Sequence, residues 1–154
     1  MATNGEKAYE LHQAAIGETE GSGDWVEITQ ERINAFADVT EDHQFIHVDA
    51  EGAAKTPFGG TIAHGFLSLS LLSRMAADAM LRPEHVKMGV NYGFERVRFL
   101  APVRSGKRVR GRFTLASLEE KRPGQWQFVH TVTVEIEDED KPALIADWIG
   151  LIFT

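Results

Sequence analysis

The chain has 154 residues, enough for one domain that buries its own core without metals or disulfides. Hydrophobic residues make up 43% and charged residues 25%, the balance of a globular chain rather than a disordered or fibrous one. The absence of cysteine excludes disulfides, thiolate zinc sites and cysteine nucleophiles, and a net charge of −7 argues against nucleic-acid binding, which needs cations to meet phosphates.

Residues 5–15 read as a short helix with Ala8, Leu11 and Ala15 on one side. Gly17 to Gly23 reads as a loop, so residues 1–23 are expected to be a helix-and-loop extension of a single domain spanning 1–154. No basic and apolar leader opens the chain, and its longest apolar tract, Phe66 to Leu72, is broken by Ser68 and Ser70. A cytoplasmic protein with no membrane partner is expected. Asp24 to Ile28 is a strand candidate, and Thr29 is placed to cap a helix carrying the stripe Ile33, Phe36, Ala37. That helix should fail near Val39-Thr40, leaving Glu41 to Phe45 as a loop. Asp49 is a second capping residue, before a turn or two of helix over Ala50 to Ala54. Thr56-Pro-Phe-Gly-Gly60 must be irregular, because proline fixes one backbone angle and the glycines free theirs.

From His64 to Met80 the pattern is helical, and its apolar residues surround most of the axis in the first turns, which predicts a helix wrapped by other structure. Arg74 and Asp78, four apart, mark a wetter face, and Pro83 stops continuation. The remainder reads as β: Val86 to Phe94, Val97 to Phe99, Lys107 to Leu118, Gln125 to Glu137 and Ala143 to Phe153, with turns at Arg122-Pro-Gly124 and Glu137 to Asp140. Long hairpin-joined strands need a layer over their apolar face, and the helix from His64 is the one long apolar element available. An α+β domain follows, with a bent antiparallel sheet wrapped around one central helix.

Half of the sixteen Lys and Arg residues fall between Lys87 and Arg112, opposed there by Glu95 alone. Arg108, Arg110 and Arg112 alternate with Val109, Gly111 and Phe113, as on a half-buried strand, so most of these cations should face water and one or two are left for an anion.

The chemistry concentrates in two stretches. In Ala37 to Asp49, Asp42 precedes His47 by five residues; in Thr61 to Phe66, His64 and Gly65 open the apolar helix. A carboxylate and an imidazole together hold a water that the imidazole deprotonates, since imidazoles titrate near neutral pH. Backbone N–H groups at a helix start lack an intrahelical partner, so the Gly65 N–H is placed to polarise a thioester carbonyl and hold the resulting enolate. Glycine there lets a substrate approach without a side chain in the way, and Gly60 offers the same freedom in the preceding loop. Taken singly, each residue has a structural explanation: a loop aspartate caps turns, and a lone histidine is most often at the surface or satisfied in a core. Asp42, His47 and His64 match a metal site in ligand type, but no motif such as HExxH accompanies them.

The two motifs Thr40-Glu-Asp-His-Gln-Phe-Ile-His-Val-Asp49 and Pro57-Phe-Gly-Gly-Thr-Ile-Ala-His-Gly-Phe66 resemble the MaoC-like dehydratases, the (R)-specific enoyl-CoA hydratases of hot dog fold. Asn91-Tyr-Gly93 and Val97 to Val103 are similar to the branch that includes nodulation protein N. The resemblance implies a catalytic dyad of Asp42 and His47, an oxyanion donor at the Gly65 N–H, and a serine lining the acyl pocket at Ser73. The family motif reads Gly-Asp-x-Asn-Pro-aliphatic-His; here Glu41, Gln44 and Phe45 replace its glycine, asparagine and proline. The resemblance also implies dimers formed by edge-to-edge sheets, and no cofactor, coenzyme A being part of the substrate. The expected activity is reversible hydration of trans-2-enoyl-CoA to (R)-3-hydroxyacyl-CoA. Thioester hydrolysis on the same scaffold and non-catalytic acyl-CoA binding are the alternatives.

Overall fold

A computed structural model describes residues 19–80 and 86–154. The helix expected over 5–15 and the stop at Pro83 lie outside the described residues. The chain order is β1 (Thr19–Ser22), β2 (Val26–Glu27), α1 (Gln30–Thr40), α2 (Phe45–Val48), α3 (Ala50–Ala54), α4 (Gly65–Ser70), α5 (Leu72–Ala79), β3 (Met88–Phe99), β4 (Arg108–Arg122), β5 (Gln125–Ile136) and β6 (Leu144–Phe153).

All the strands join one antiparallel sheet in the order β1-β4-β5-β6-β3, with β2 also on β4. Three long strands arise from period-two sequences. Along β5, Trp126, His130, Val132, Val134 and Ile136 are buried while their neighbours are less so. The β4–β5 hairpin closes through Pro123-Gly124, where Gly124 supplies φ +75°. β3 is one strand where two segments were expected, because shifts of register between Asn91 and Gly93 and between Phe94 and Arg96 absorb the break in alternation. The loop expected over Gly17 to Gly23 contains a strand instead. Thr19–Ser22 has no strand pattern of its own but pairs with Thr114 to Arg112, so the edge of β4 imposes extended backbone on it.

The central helix comes in two parts, α4 and α5, joined at Leu71. Its hydrogen bonding runs through the joint, from Leu71 N–H to Leu67 O and from Met75 N–H to Leu71 O. Leu67, Leu72, Met75, Ala76 and Ala79 are buried in one cluster with Val109, Phe113, Val132, Val134, Leu144 and Ala146 of the sheet. This is the hot dog arrangement, with one difference from the expectation: the helix is not wrapped all round. Phe66 is 67% exposed, and Ser70, Ser73 and Ala77 are also exposed. The sheet covers one side only, so the apolar character of the first turns overstates burial. No helix among the described residues is long and apolar enough to cross a membrane.

Candidate active site

Helix α1 positions the first stretch. Thr29 caps it by accepting the Arg32 N–H at 3.1 Å, and Ile33 and Ala37 anchor its inner face with no exposed surface. It ends where Glu41 adopts a left-handed φ of 60°, which reverses the chain and delivers Asp42. The Asp42 carboxylate accepts the Gln44 N–H at 3.3 Å, an aspartate turn that leads into the single helical turn α2. That turn carries His47, 6% exposed. Asp49 then caps α3 by accepting the Gly52 N–H at 3.0 Å.

Residues 61–64 are stitched to this turn. Ile62 N–H donates to Ile46 O at 3.0 Å, and His47 Nδ1 lies 2.7 Å from Ile62 O. Gln30, which the sequence did not single out, binds both stretches. Its Nε2 donates to His47 O at 2.7 Å while its Oε1 accepts from Thr61 Oγ1 at 2.5 Å. Only its place in the first turn of α1, facing both segments, gives it that role, and nothing in its sequence neighbourhood signals it.

Asp42, His47 and His64 thereby converge, their ligand-type atoms all within 4.8 Å of one another. The His47 and His64 rings stack with centroids 3.8 Å apart and planes 24° apart. A carbonyl only accepts, so the proton of a neutral His47 sits on Nδ1, toward Ile62 O, and Nε2 keeps its lone pair as a base. By the same reasoning His64, whose Nε2 is 3.0 Å from Asp42 O, carries its proton on Nε2. Each histidine has one ring nitrogen turned to a backbone carbonyl, and the ligand-type atoms of the three residues are close enough to hold one water or one ion between them.

Gly65, first residue of α4, lines a cavity of about 250 Å³ together with Phe58, Ile62, Ala63, Ser68, Phe99 and Val103. The lining side chains are apolar apart from the Ser68 hydroxyl. Asp42 and His47 are not among the lining residues; His47 reaches the cavity wall through its Nδ1 contact to Ile62 O, and Asp42, whose side chain is 53% exposed, is the open member of the pair. Three of the candidate site residues sit away from this cavity. Ser73 is exposed and does not line the cavity; Ser68, buried, does, and a five-residue step turns a helix by about 140° away from it. His64 does not line the cavity either, since its ring turns back to Asp42 and His47. Gly60 also lies outside the lining, and a Cβ built there meets nothing. Over Gly65 itself the space is already filled: a Cβ there would sit 2.9 Å from the Phe99 ring. Phe99 also packs edge-on against Phe66 at 5.8 Å.

The basic stretch is largely neutralised. Arg108 pairs with Glu137, Arg110 and Arg112 with Glu135, Lys107 with Glu139, and Arg96 with Asp147. Burial pushes the Glu135 carboxyl up, but hydrogen bonds and charge from Arg110 and Arg112 outweigh it and hold it below the usual range. Among the described residues Arg104 makes no such pair; it follows cavity-lining Val103 and reaches over Gly59.

Comparison with known proteins adds independent findings. Residues 12–139 match the family model described as MaoC like domain. The chain is 53% identical over 137 residues to nodulation protein N of Rhizobium meliloti, covering 88% of this chain and 85% of that protein. It is 51% identical over 136 residues to 3-hydroxyacyl-thioester dehydratase Z of Mycobacterium tuberculosis, covering 88% and 89%. The solved structure of a monoamine oxidase regulatory protein from Archaeoglobus fulgidus superposes with a TM-score of 0.77 at 28% identity, covering 90% of each chain.

Proposed function

The chain belongs to the MaoC-like dehydratase family of hydro-lyases, and from that premise we propose that it adds water reversibly across a trans-2-enoyl-CoA to give the (R)-3-hydroxyacyl-CoA. The observation that carries this reading is the meeting of Asp42 and His47 beside a helix start that opens on an apolar cavity. The acyl chain occupies the cavity and the thioester oxygen rests on the Gly65 N–H. A water lies between the Asp42 carboxylate and His47 Nε2. His47 takes one proton from it, and the oxygen bonds to Cβ of the enoyl group. The double-bond electrons move toward the carbonyl oxygen, whose enolate charge the Gly65 N–H stabilises. The dyad then returns the proton to Cα from the same face, so the addition is syn and water's atoms are divided between Cβ and Cα. Asp42 orients the water and the imidazole throughout. The reaction as written uses no cofactor. Arg104 supplies a cation for the coenzyme A phosphates at the cavity side.

The edge strand β3 carries Met88, Val90, Tyr92 and Phe94 exposed, which supports pairing of two copies along it. The activity test follows loss of enoyl absorbance with crotonyl-CoA and longer enoyl-CoAs. Asp42→Asn and His47→Gln should each lower kcat by about 10²–10⁴-fold, the usual contribution of a positioned acid or base. Full activity in either variant removes the mechanism. Release of free thiol from saturated acyl-CoA at a comparable rate would make the protein a thioesterase instead.

A further inference from the structure

One buried side chain at the centre of this site has no step in the reaction. His64 is 3% exposed and lies outside the cavity lining. Its Nε2 meets Asp42 O at 3.0 Å, its face lies on His47, and Phe36 of α1 packs against it with centroids 4.9 Å apart. Its Nδ1 is buried and has no hydrogen-bond partner. Resting on the proposed function, we infer that His64 is a positioning residue: as a neutral ring with its proton on Nε2, it fixes Asp42 and His47 relative to each other and exchanges no proton with the substrate.

The two members of the dyad are held very differently. His47 has anchors of its own, through Nδ1 to Ile62 O and through its carbonyl to Gln30. Asp42 has none that is buried. Its carboxylate is half in water, it follows the left-handed Glu41, and its own turn closes through the 3.3 Å contact to Gln44 N–H. A side chain this exposed is not held by packing, so its aim depends on its backbone being fixed. His64 is the buried group that touches both, by a hydrogen bond to the Asp42 backbone and by a ring face on His47.

The buried Nδ1, with no partner among the described residues, speaks against a shuttle. Protonating it would bury a charge together with an unpaired donor. Of the charged groups nearby, the Asp42 carboxylate favours a proton on the nitrogen it faces, which is Nε2. The Asp42 carboxylate lies 4.0 Å from Nε2, and His43 pairs outward with Asp38 at 2.8 Å. Gln30 and Phe36 from α1, and Thr61 and Ile62 from the following segment, are uncharged.

Two variants separate the contacts. His64→Phe keeps a ring face on His47 and removes the donor; His64→Gln keeps an N–H donor and removes the ring. Displacing a catalytic group by about 1 Å costs on the order of 10²-fold, so each should lower kcat by about 10–100-fold on crotonyl-CoA with KM within about threefold. In an Asp42→Asn background, where there is no carboxylate left to aim, adding His64→Phe should change the residual kcat by less than about threefold. A full, multiplying loss in that background overturns the assignment, as does unchanged kcat in variants that melt like the wild type. Nitrogen-edited NMR of the wild-type protein at neutral pH should show His64 protonated on Nε2 and bare on Nδ1; a proton on Nδ1 overturns the inference whatever the activity. A wild-type chain that hydrates no enoyl thioester overturns the proposed function instead, and the NMR result then decides the His64 assignment by itself.

Discussion

Gly65 is constrained from two sides. In the proposed reaction its N–H must stay open at the helix start, and its α-carbon is crowded by the Phe99 ring, which already occupies the place of a side chain. The sequence suggests a glycine kept bare for a substrate, and the structure gives a neighbour that requires it. A methyl at this position forces Phe99 outward, an overpacking that costs about 1–3 kcal/mol. Gly65→Ala should therefore lower the melting temperature and kcat/KM together. Gly65→Ala combined with Phe99→Ala should recover the melting temperature by calorimetry; failure to recover it would mean that the backbone at Gly65, and not Phe99, sets the requirement. The serine at the cavity follows a similar logic. Both Ser68 and Ser73 lie on the central helix, and only the face that Leu67, Leu72 and Met75 bury decides which hydroxyl turns inward.

Among elements, the local signals with a short physical cause are readable in sequence. Thr29 and Asp49 cap helices because a short oxygen-bearing side chain three residues before a free N–H has one obvious partner. The arginines of β4 face water by alternation, but their partners are not legible, because Glu135 and Glu137 come from β5 and the turn after it. Against the opposing effect of burial, Arg110 and Arg112 hold the Glu135 carboxyl below the usual glutamate range. A lowered folded-state value contributes stability that is present above the ordinary value and is lost as pH falls through the folded one. The melting temperature of the wild type should therefore drop on acidification below about pH 4.3, and Glu135→Gln should show a shallower drop over the same range. Equal slopes would mean that Arg110 and Arg112 contribute nothing through this carboxylate.

At the scale of the molecule, one edge of the sheet is formed by β1 and β2 on β4, and the other edge, β3, pairs with no further strand among the described residues. A twelve-residue edge with Tyr92 at 66% exposure is the surface on which the proposed pairing of two copies rests. The protein should sediment as a dimer. Tyr92→Lys, which places a charge on that edge in each copy, should shift it toward monomer, with the secondary structure unchanged by circular dichroism. A wild-type monomer at working concentration would end the edge-pairing reading. The exposed side of α4 and α5, which the helical pattern led one to expect covered, belongs to the same question of what the single chain leaves open.

The sequence alone determined the α+β fold class, the helices after Thr29, after Asp49 and from His64, the three long strands β4 to β6 and the helix caps, and it singled out Asp42 and His47, because each rests on periodicity or on residues a few positions apart; the helical turn Phe45–Val48 and the continuity of β3 were not legible in it. Tertiary structure decided what lies between distant segments: Gln30 bridging His47 and Thr61, Phe99 over Gly65, Ser68 in place of Ser73 at the cavity, β1 as a strand, and His64 turned toward the dyad. The physical reason is the same in each case. A contact across thirty residues is set by how the sheet curves and which helix face it covers, and no local pattern of side chains encodes that direction.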